Sequence, residues 1–469
     1  MLKTMLKMML PASLAITIVV AASCAQKGPA GIPGPPGSQG PSGPRGPLGE
    51  LLSERAAAGL RLSPVPIDIS KLTYTQAEQA GVGSYLANIA FCTECHTADP
   101  TKFMAGGVPF ALDAVGHVVW TRNLTPDPKT GLGRFTEDQF KTILRTGQDF
   151  SVPNAVEALE VDSWPTYRWM TDEDISAIWA YLQLIPPVVS TLPPDDKGPF
   201  KRAPVPFPGH YDEGDVARPL PPDGGVDPDN VLYGLALLPT AVPSKFGALD
   251  AEQQAQFGRG SYLVNAVADC NGCHTNPSRD FKQGPTYLKV NTAAYLAGGA
   301  VWSVQPFRQA TTGFVRTMAA NLTGTSNGFF HKTQISFPLF EGLLATGLHV
   351  EDPDPHPLAW PMQWQHFRLM TLADLEAVYT YMRYLDSPAA DKLIQSAARA
   401  CTASSDCHGT NEKCLLQAVD GGMGGECVGR ACAVDDDCDA CQTCTGNLCV
   451  APTAGSTCVT NGGPGVQVE

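Results

Sequence analysis

The sequence is short of charge. Only 17% of its 469 residues are Asp, Glu, Lys or Arg, and the basic ones are scarcer, 32 against 46 acidic. The net charge is -14, or two units more negative without a leader carrying Lys3 and Lys7. That argues against nucleic acid and anionic membrane surfaces; a partner with a basic docking face, or plain solubility, remains. There is no glycine-rich phosphate loop, no hydride-cofactor fingerprint, and no Ser-His-Asp set recognisable from spacing. Long apolar runs are missing too: Leu14-Ala15-Ile16-Thr17-Ile18-Val19-Val20 is too short for a comfortable membrane span. Cysteine is absent from 25–91, 96–269 and 275–400. The 15 cysteines therefore fall into three groups: Cys24 alone, four in two short motifs, and ten between Cys401 and Cys458. So dense a final set points to an oxidising compartment. A chain of this length exceeds one ordinary core, so two or three domains are expected.

The two motifs are Cys92-Thr93-Glu94-Cys95-His96 and Cys270-Asn271-Gly272-Cys273-His274. Cys-x-x-Cys-His is the attachment signature of c-type haem. Two thiols about one helical turn apart each form a thioether with a vinyl group, and the adjacent histidine is carried under the iron. Zinc or a disulfide would use the cysteines alone. Neither explains a second copy with its histidine. Two covalently bound haem c groups are expected, with His96 and His274 as proximal ligands.

Around the motifs the chain repeats. Gly83-Ser84-Tyr85-Leu86 precedes the first, and Gly106-Gly107, Asn123-Leu124-Thr125 and Leu144-Arg145-Thr146-Gly147 follow it. Gly260-Ser261-Tyr262-Leu263, Gly298-Gly299, Asn321-Leu322-Thr323 and Leu344-Ala345-Thr346-Gly347 keep the same order around the second. From Leu144 and Leu344 onward the copies run without a gap. Each ends in a helix capped by Thr171 or Thr371, with Asp174 or Asp374 at N3 and an apolar face behind it. This is an internal duplication.

Outside the repeats the reading is compositional. Residues 1–24 resemble a lipoprotein-type signal ending at Cys24, the candidate lipidation site, with Ala25 after it favouring the outer membrane of a Gram-negative bacterium. Residues 25–51 hold eight Gly-x-y triplets, a collagen-like stem that serves as a tether or as a homotrimer seed. Residues 186–246 read as a Pro-rich connector, and 401–458 as a small disulfide module with metal binding as the alternative.

The repeats, over 71–185 and 251–387, resemble class I cytochrome c domains. Asn123-Leu124-Thr125-Pro126-Asp127-Pro128, Tyr167-Arg168 before Met170-Thr171-Asp172-Glu173-Asp174, and Trp179-Ala180-Tyr181-Leu182 before Pro186-Pro187 are more specific. They are similar to the cytochrome c subunits of membrane-bound bacterial alcohol and sugar dehydrogenases. Those subunits typically carry three haems and lack a cysteine-rich tail. The fold class implied is mainly α: two tandem class I cytochrome c domains, a collagen-like stem and a disulfide-rich C-terminal module.

In that family the distal ligand is a methionine about nine residues before the N-cap threonine. The matching residue is Met362 in the second copy and Asp162 in the first. Met362 is thus expected on the second iron, with His356 as a fallback. For the first iron the candidates are Met170, Met104, His117 or an open position, with Glu157, Glu160 and Asp162 nearby. Met170 matches Met370, which suggests a helix staple for both instead. The function expected is electron relay, in the periplasm or at the cell surface, between a dehydrogenase-type donor and an oxidase or other cytochrome. The alternative is a haem enzyme, a peroxidase or small-anion oxidoreductase, with an open first iron. A surface adhesion or assembly role would rest on the stem and tail.

Overall fold

The computed structural model describes residues 52–386 apart from 113–115, 162, 216, 223–226, 277, 280–287, 304–313, 325–327, 332–334, 351–356 and 359–360. Beyond 386 it describes the backbone of five strands. The leader, Cys24, the collagen-like stem, Asp162 and His356 all lie outside the described residues.

Each repeat is built on a long helix leading to its motif. Thr73 caps α2 (Tyr74–Ile89): its Oγ1 accepts from Gln76 N at 3.3 Å, and Gln76 Oε1 accepts from Thr73 N at 2.9 Å. Asp250 and Gln253 form the same box on α8 (Ala251–Tyr262). The motifs themselves are short helices, α3 (Cys92–His96) and α9 (Cys270–His274). Helices α4 (Glu137–Thr146), α5 (Trp164–Tyr167) and α6 (Asp172–Leu182) complete the first repeat. Their counterparts are α10 (Phe337–Thr346), α11 (Trp364–Phe367) and α12 (Leu372–Tyr384).

Two further helices extend the duplication beyond the sequence reading. Helix α1 (Glu54–Leu62) precedes residue 71, and α7 (Val231–Ala236) lies inside the connector. Each packs on its repeat's long helix, and Ser84 Oγ donates to Gly59 O just as Ser261 Oγ donates to Gly234 O, both at 2.7 Å. The shared Gly59-Leu60 and Gly234-Leu235 were the available signal. On the other side, Gly83 meets the backbone of α6 at Ala177, and Gly260 meets α12 at Ala377. A Cβ at either glycine would collide with the facing carbonyl oxygen.

One residue is inserted between Tyr262 and Cys270 relative to the first repeat, and a π-helical turn at Leu263–Val267 absorbs it. Such a turn is the usual product of one extra residue in a helix. It keeps Tyr262 and the second motif on the same faces as Tyr85 and the first.

The expected tandem-domain architecture is wrong. All described residues belong to one compact unit, 46–469. The repeats exchange contacts across a pseudo-twofold arrangement. Tyr85 Oη donates to Asp374 Oδ2 at 2.8 Å and accepts from Thr371 N at 3.0 Å. Tyr262 Oη does the same with Asp174 (2.6 Å) and Thr171 N (3.0 Å). Thr171 and Thr371 accept from the N3 amides as expected, each at 3.2 Å. The N3 carboxylates, however, bond across to the other repeat.

The expected C-terminal module is not a separate one, and its cysteine side chains lie outside the described residues. Five strands, β1 (Val301–Ser303), β2 (Phe314–Met318), β3 (Ala397–Cys401), β4 (Lys413–Val419) and β5 (Gly422–Val428), form one sheet of order β1-β2-β3-β5-β4 that starts in the second repeat. Strand β3 pairs antiparallel with β2, and β6 (Thr443–Thr445) and β7 (Leu448–Val450) pair with each other. No disulfide occurs among the described residues. No described helix is long and apolar enough to cross a membrane.

Candidate functional site

Both motif histidines are oriented by the loop that follows them. His96 Nδ1 lies 2.7 Å from Arg122 O, and His274 Nδ1 lies 2.7 Å from Ala320 O. A carbonyl only accepts, so Nδ1 carries the proton and Nε2 keeps its lone pair for a metal. Burial pushes His96 down to about 4, and the Arg122 guanidinium adds to the effect. Burial lowers His274 in the same way. Each ring is therefore neutral near pH 7, the form that ligates. Burial and the Asp269 carboxylate push the Cys273 thiol up to about 12 and raise Cys270 further.

Each motif opens on a cavity. The first has a volume of about 540 Å³; Cys92, Cys95 and His96 line it with Leu132, Phe140 and Met170. Its far wall is polar, with Arg122, Asp149, Glu160, Asp195 and Lys197. The second is smaller, about 150 Å³, and mostly apolar; Cys270, Cys273 and His274 line it with Met362, Met370 and Leu343. The structure thus gathers Met362 with the second motif and Met170 with the first. Met104 is fully buried elsewhere, under the loop after the motif, where its N–H donates to Thr97 Oγ1 at 3.1 Å. His117 packs against Phe200, also outside the cavity. Glu157 pairs with Lys197 at 3.2 Å and Lys201 at 3.4 Å.

His349, one of four histidines that crowd the second repeat in the sequence, lines the second cavity, although His356 was the fallback expected. It stands at the register position of Asp149, which lines the first cavity. The gapless alignment of the repeats carried that signal.

The residues fit a c-type haem. Trp120 Nε1 and Arg122 Nε are buried donors with no hydrogen-bond partner, and both residues line the first cavity. Both atoms only donate, so a carboxylate-bearing group would satisfy them, and haem carries two carboxylates. The apolar lining of the second cavity suits a porphyrin face.

The two cavities adjoin. Phe91, Asp269 and Cys273 line both. Phe91 and Asp269 are equivalent, each standing immediately before its motif with left-handed backbone, φ 44° and 47°. Thr166 Oγ1 donates a short hydrogen bond to Asp269 Oδ1 and accepts from Arg279 at 3.2 Å. Arg279 in turn pairs with buried Glu213. Burial raises the Asp269 carboxyl above its ordinary value.

No protein-family model matches the chain. Among known proteins it is 29% identical over 222 residues to the fructose dehydrogenase cytochrome subunit of Gluconobacter japonicus, covering 47% of this chain and 38% of that protein. It is 28% identical over 220 residues to the cytochrome c subunit of the quinone alcohol dehydrogenase of Gluconobacter oxydans, 46% and 39% of the two chains. The chain is similar to the cytochrome subunits of bacterial sugar and alcohol dehydrogenases. A protein described as a diheme cytochrome c-type, from Cereibacter sphaeroides, is 28% identical over 227 residues, 47% of this chain and 64% of that one. Against the dehydrogenase cytochrome subunits quoted, the matched stretch spans under half of either protein.

Proposed function

We propose that this chain is a dihaem c-type cytochrome that relays single electrons, and that dehydrogenase-type donors and oxidases or other cytochromes are its partners. Cys92 and Cys95 would hold one haem and Cys270 and Cys273 the other, with His96 and His274 as proximal ligands and Met362 distal at the second site. At the first site the distal position falls to Met170 or stays open. When bound, haem supplies a one-electron iron couple. The chain's own residues orient the histidines, exclude water and set the local charge. The observation that carries this reading is the pair of adjoining cavities, each holding a Cys-x-x-Cys-His motif whose histidine Nε2 is left for a metal. An exported location, with Cys24 as the lipid attachment point, goes with it.

The test is expression of the full chain with a haem-attachment system, followed by a pyridine haemochrome assay and a spectroscopic redox titration. Two haem c per chain and reversible one-electron steps are expected. One haem or none would sink the reading.

A second reading, an enzyme with the first iron open, is favoured by one contrast. The first cavity is the larger and holds Glu160, whose carboxyl burial raises. Cyanide binding at the first site together with peroxide turnover would establish it. Absence of both leaves the carrier.

A further inference from the structure

Left-handed backbone is unusual and strained for a bulky residue. Phe91 adopts it at φ 44°, ψ 28°, at the junction between α2 and the first motif. A glycine there would be unstrained, so the aromatic side chain has to be explained by what it touches. Its ring centroid lies 6.5 Å from Tyr167 and 6.4 Å from Phe367, the latter in an edge-to-face arrangement at 79°. Tyr167 lines the first cavity, Phe367 lines the second, and Phe91 lines both. Tyr167 is fixed by its hydroxyl, which donates to Ala90 O at 2.6 Å, and Phe367 is buried. Three rings in contact therefore run from one cavity wall to the other. The equivalent residue on the other side of the boundary is Asp269, set in a hydrogen-bonded polar cluster.

We propose that Phe91, with Tyr167 and Phe367 on either side, is the bridge across which electrons pass between the two sites. The proposal rests on the reading that both cavities hold haem. With haem held at both sites, the iron carried by His96 and the iron carried by His274 would exchange a single electron, one being oxidised from Fe(II) to Fe(III) as the other is reduced from Fe(III) to Fe(II). One electron moves, no bond forms or breaks, and no proton is needed. The rings keep the path packed and free of water, so the coupling between the sites depends on them.

The experiment uses the full-length holoprotein. One site is photoreduced by a laser flash, and the re-equilibration between the two haem spectra is followed in the parent, Phe91→Leu, Phe91→Tyr and Phe367→Leu. Leucine shares phenylalanine's backbone strain at position 91, so that cost is unchanged. Phe91→Leu is expected to slow the inter-site rate several-fold with both haems attached, the rates being compared at the driving force measured for each variant, while Phe91→Tyr retains the parent rate. If Phe91→Leu fails to incorporate haem, Phe367→Leu carries the same expectation. A parent rate in the leucine variants, with two haems present, overturns the bridge. A haem count below two in the parent overturns the underlying function instead.

Discussion

At the scale of single residues, the attachment motifs are legible because covalent chemistry demands a fixed local spacing. The side chains that complete each site are less so. Met362 follows from register, and the structure puts it in the second cavity with Cys270, Cys273 and His274. Met362→Ala is expected to abolish the six-coordinate low-spin signal of the second site and leave the first unchanged; an unaltered optical and electron paramagnetic resonance spectrum would hand the ligand role to a histidine. His349, which lines that cavity, is the candidate to inspect then. Among the methionines proposed for the first site, Met104 has the wrong surroundings: its counterpart in the second repeat is Leu296, with the same left-handed backbone (φ 60° and 55°). That counterpart lies two residues before Gly298-Gly299, as Met104 lies two before Gly106-Gly107, so the paired glycines carried the signal. Met170→Leu separates the two remaining possibilities for the first site, a methionine ligand or an open position.

At the scale of elements, caps and repeats could be read from the sequence. Thr171 and Thr371 cap their helices as their spacing indicates. Helices α1 and α7 were missed because one is nine residues long and the other six. Their stability comes from backbone-to-backbone approach at glycine, which no periodicity records. The long helices meet the terminal helices in the same way. Gly83→Ala and Gly260→Ala should therefore each destabilise the fold by about 1–3 kcal/mol, since the added methyl forces the helices apart. Urea unfolding of the two variants checks this, and a change within a few tenths of a kcal/mol would mean that the helices slide apart freely. The π-turn at Leu263–Val267 was legible only as a shift in register, from an offset of 177 at Tyr85/Tyr262 to 178 at Cys92/Cys270.

At the scale of the whole molecule, the junction of the two repeats is charged and buried. Arg55 and Arg259 both bond Asp374, Arg259 through Nε at 2.9 Å, while Tyr85 donates to the same carboxylate. Burial alone would raise the Asp374 carboxyl, but Arg259 and Arg55 outweigh it and hold it far below the usual range. Asp174, its counterpart, has no arginine bonded to it, and burial raises it. A depressed carboxyl contributes stability that is present above the unfolded value of about 3.9 and lost as the pH falls towards the folded value. The intact protein should thus lose stability on acidification below about pH 4. Asp374→Asn should cost about 3–5 kcal/mol at neutral pH, because it strands Arg259, and should flatten the acid limb. Denaturant unfolding from neutral to acidic pH measures both, and an acid limb as steep as the parent's would place the linkage on other carboxylates. What the sequence alone determined was local or periodic: the spacing that suits thioether attachment, the duplicated order of motifs, the helix caps and the register of Met362. Tertiary structure decided that the repeats form one unit, that Tyr85 bonds a carboxylate 289 residues away, and that Phe91 lies between two cavities. Spacing along a chain encodes what neighbours can do together, whereas exchange between repeats depends on which buried donors and acceptors remain to be satisfied once the helices have packed.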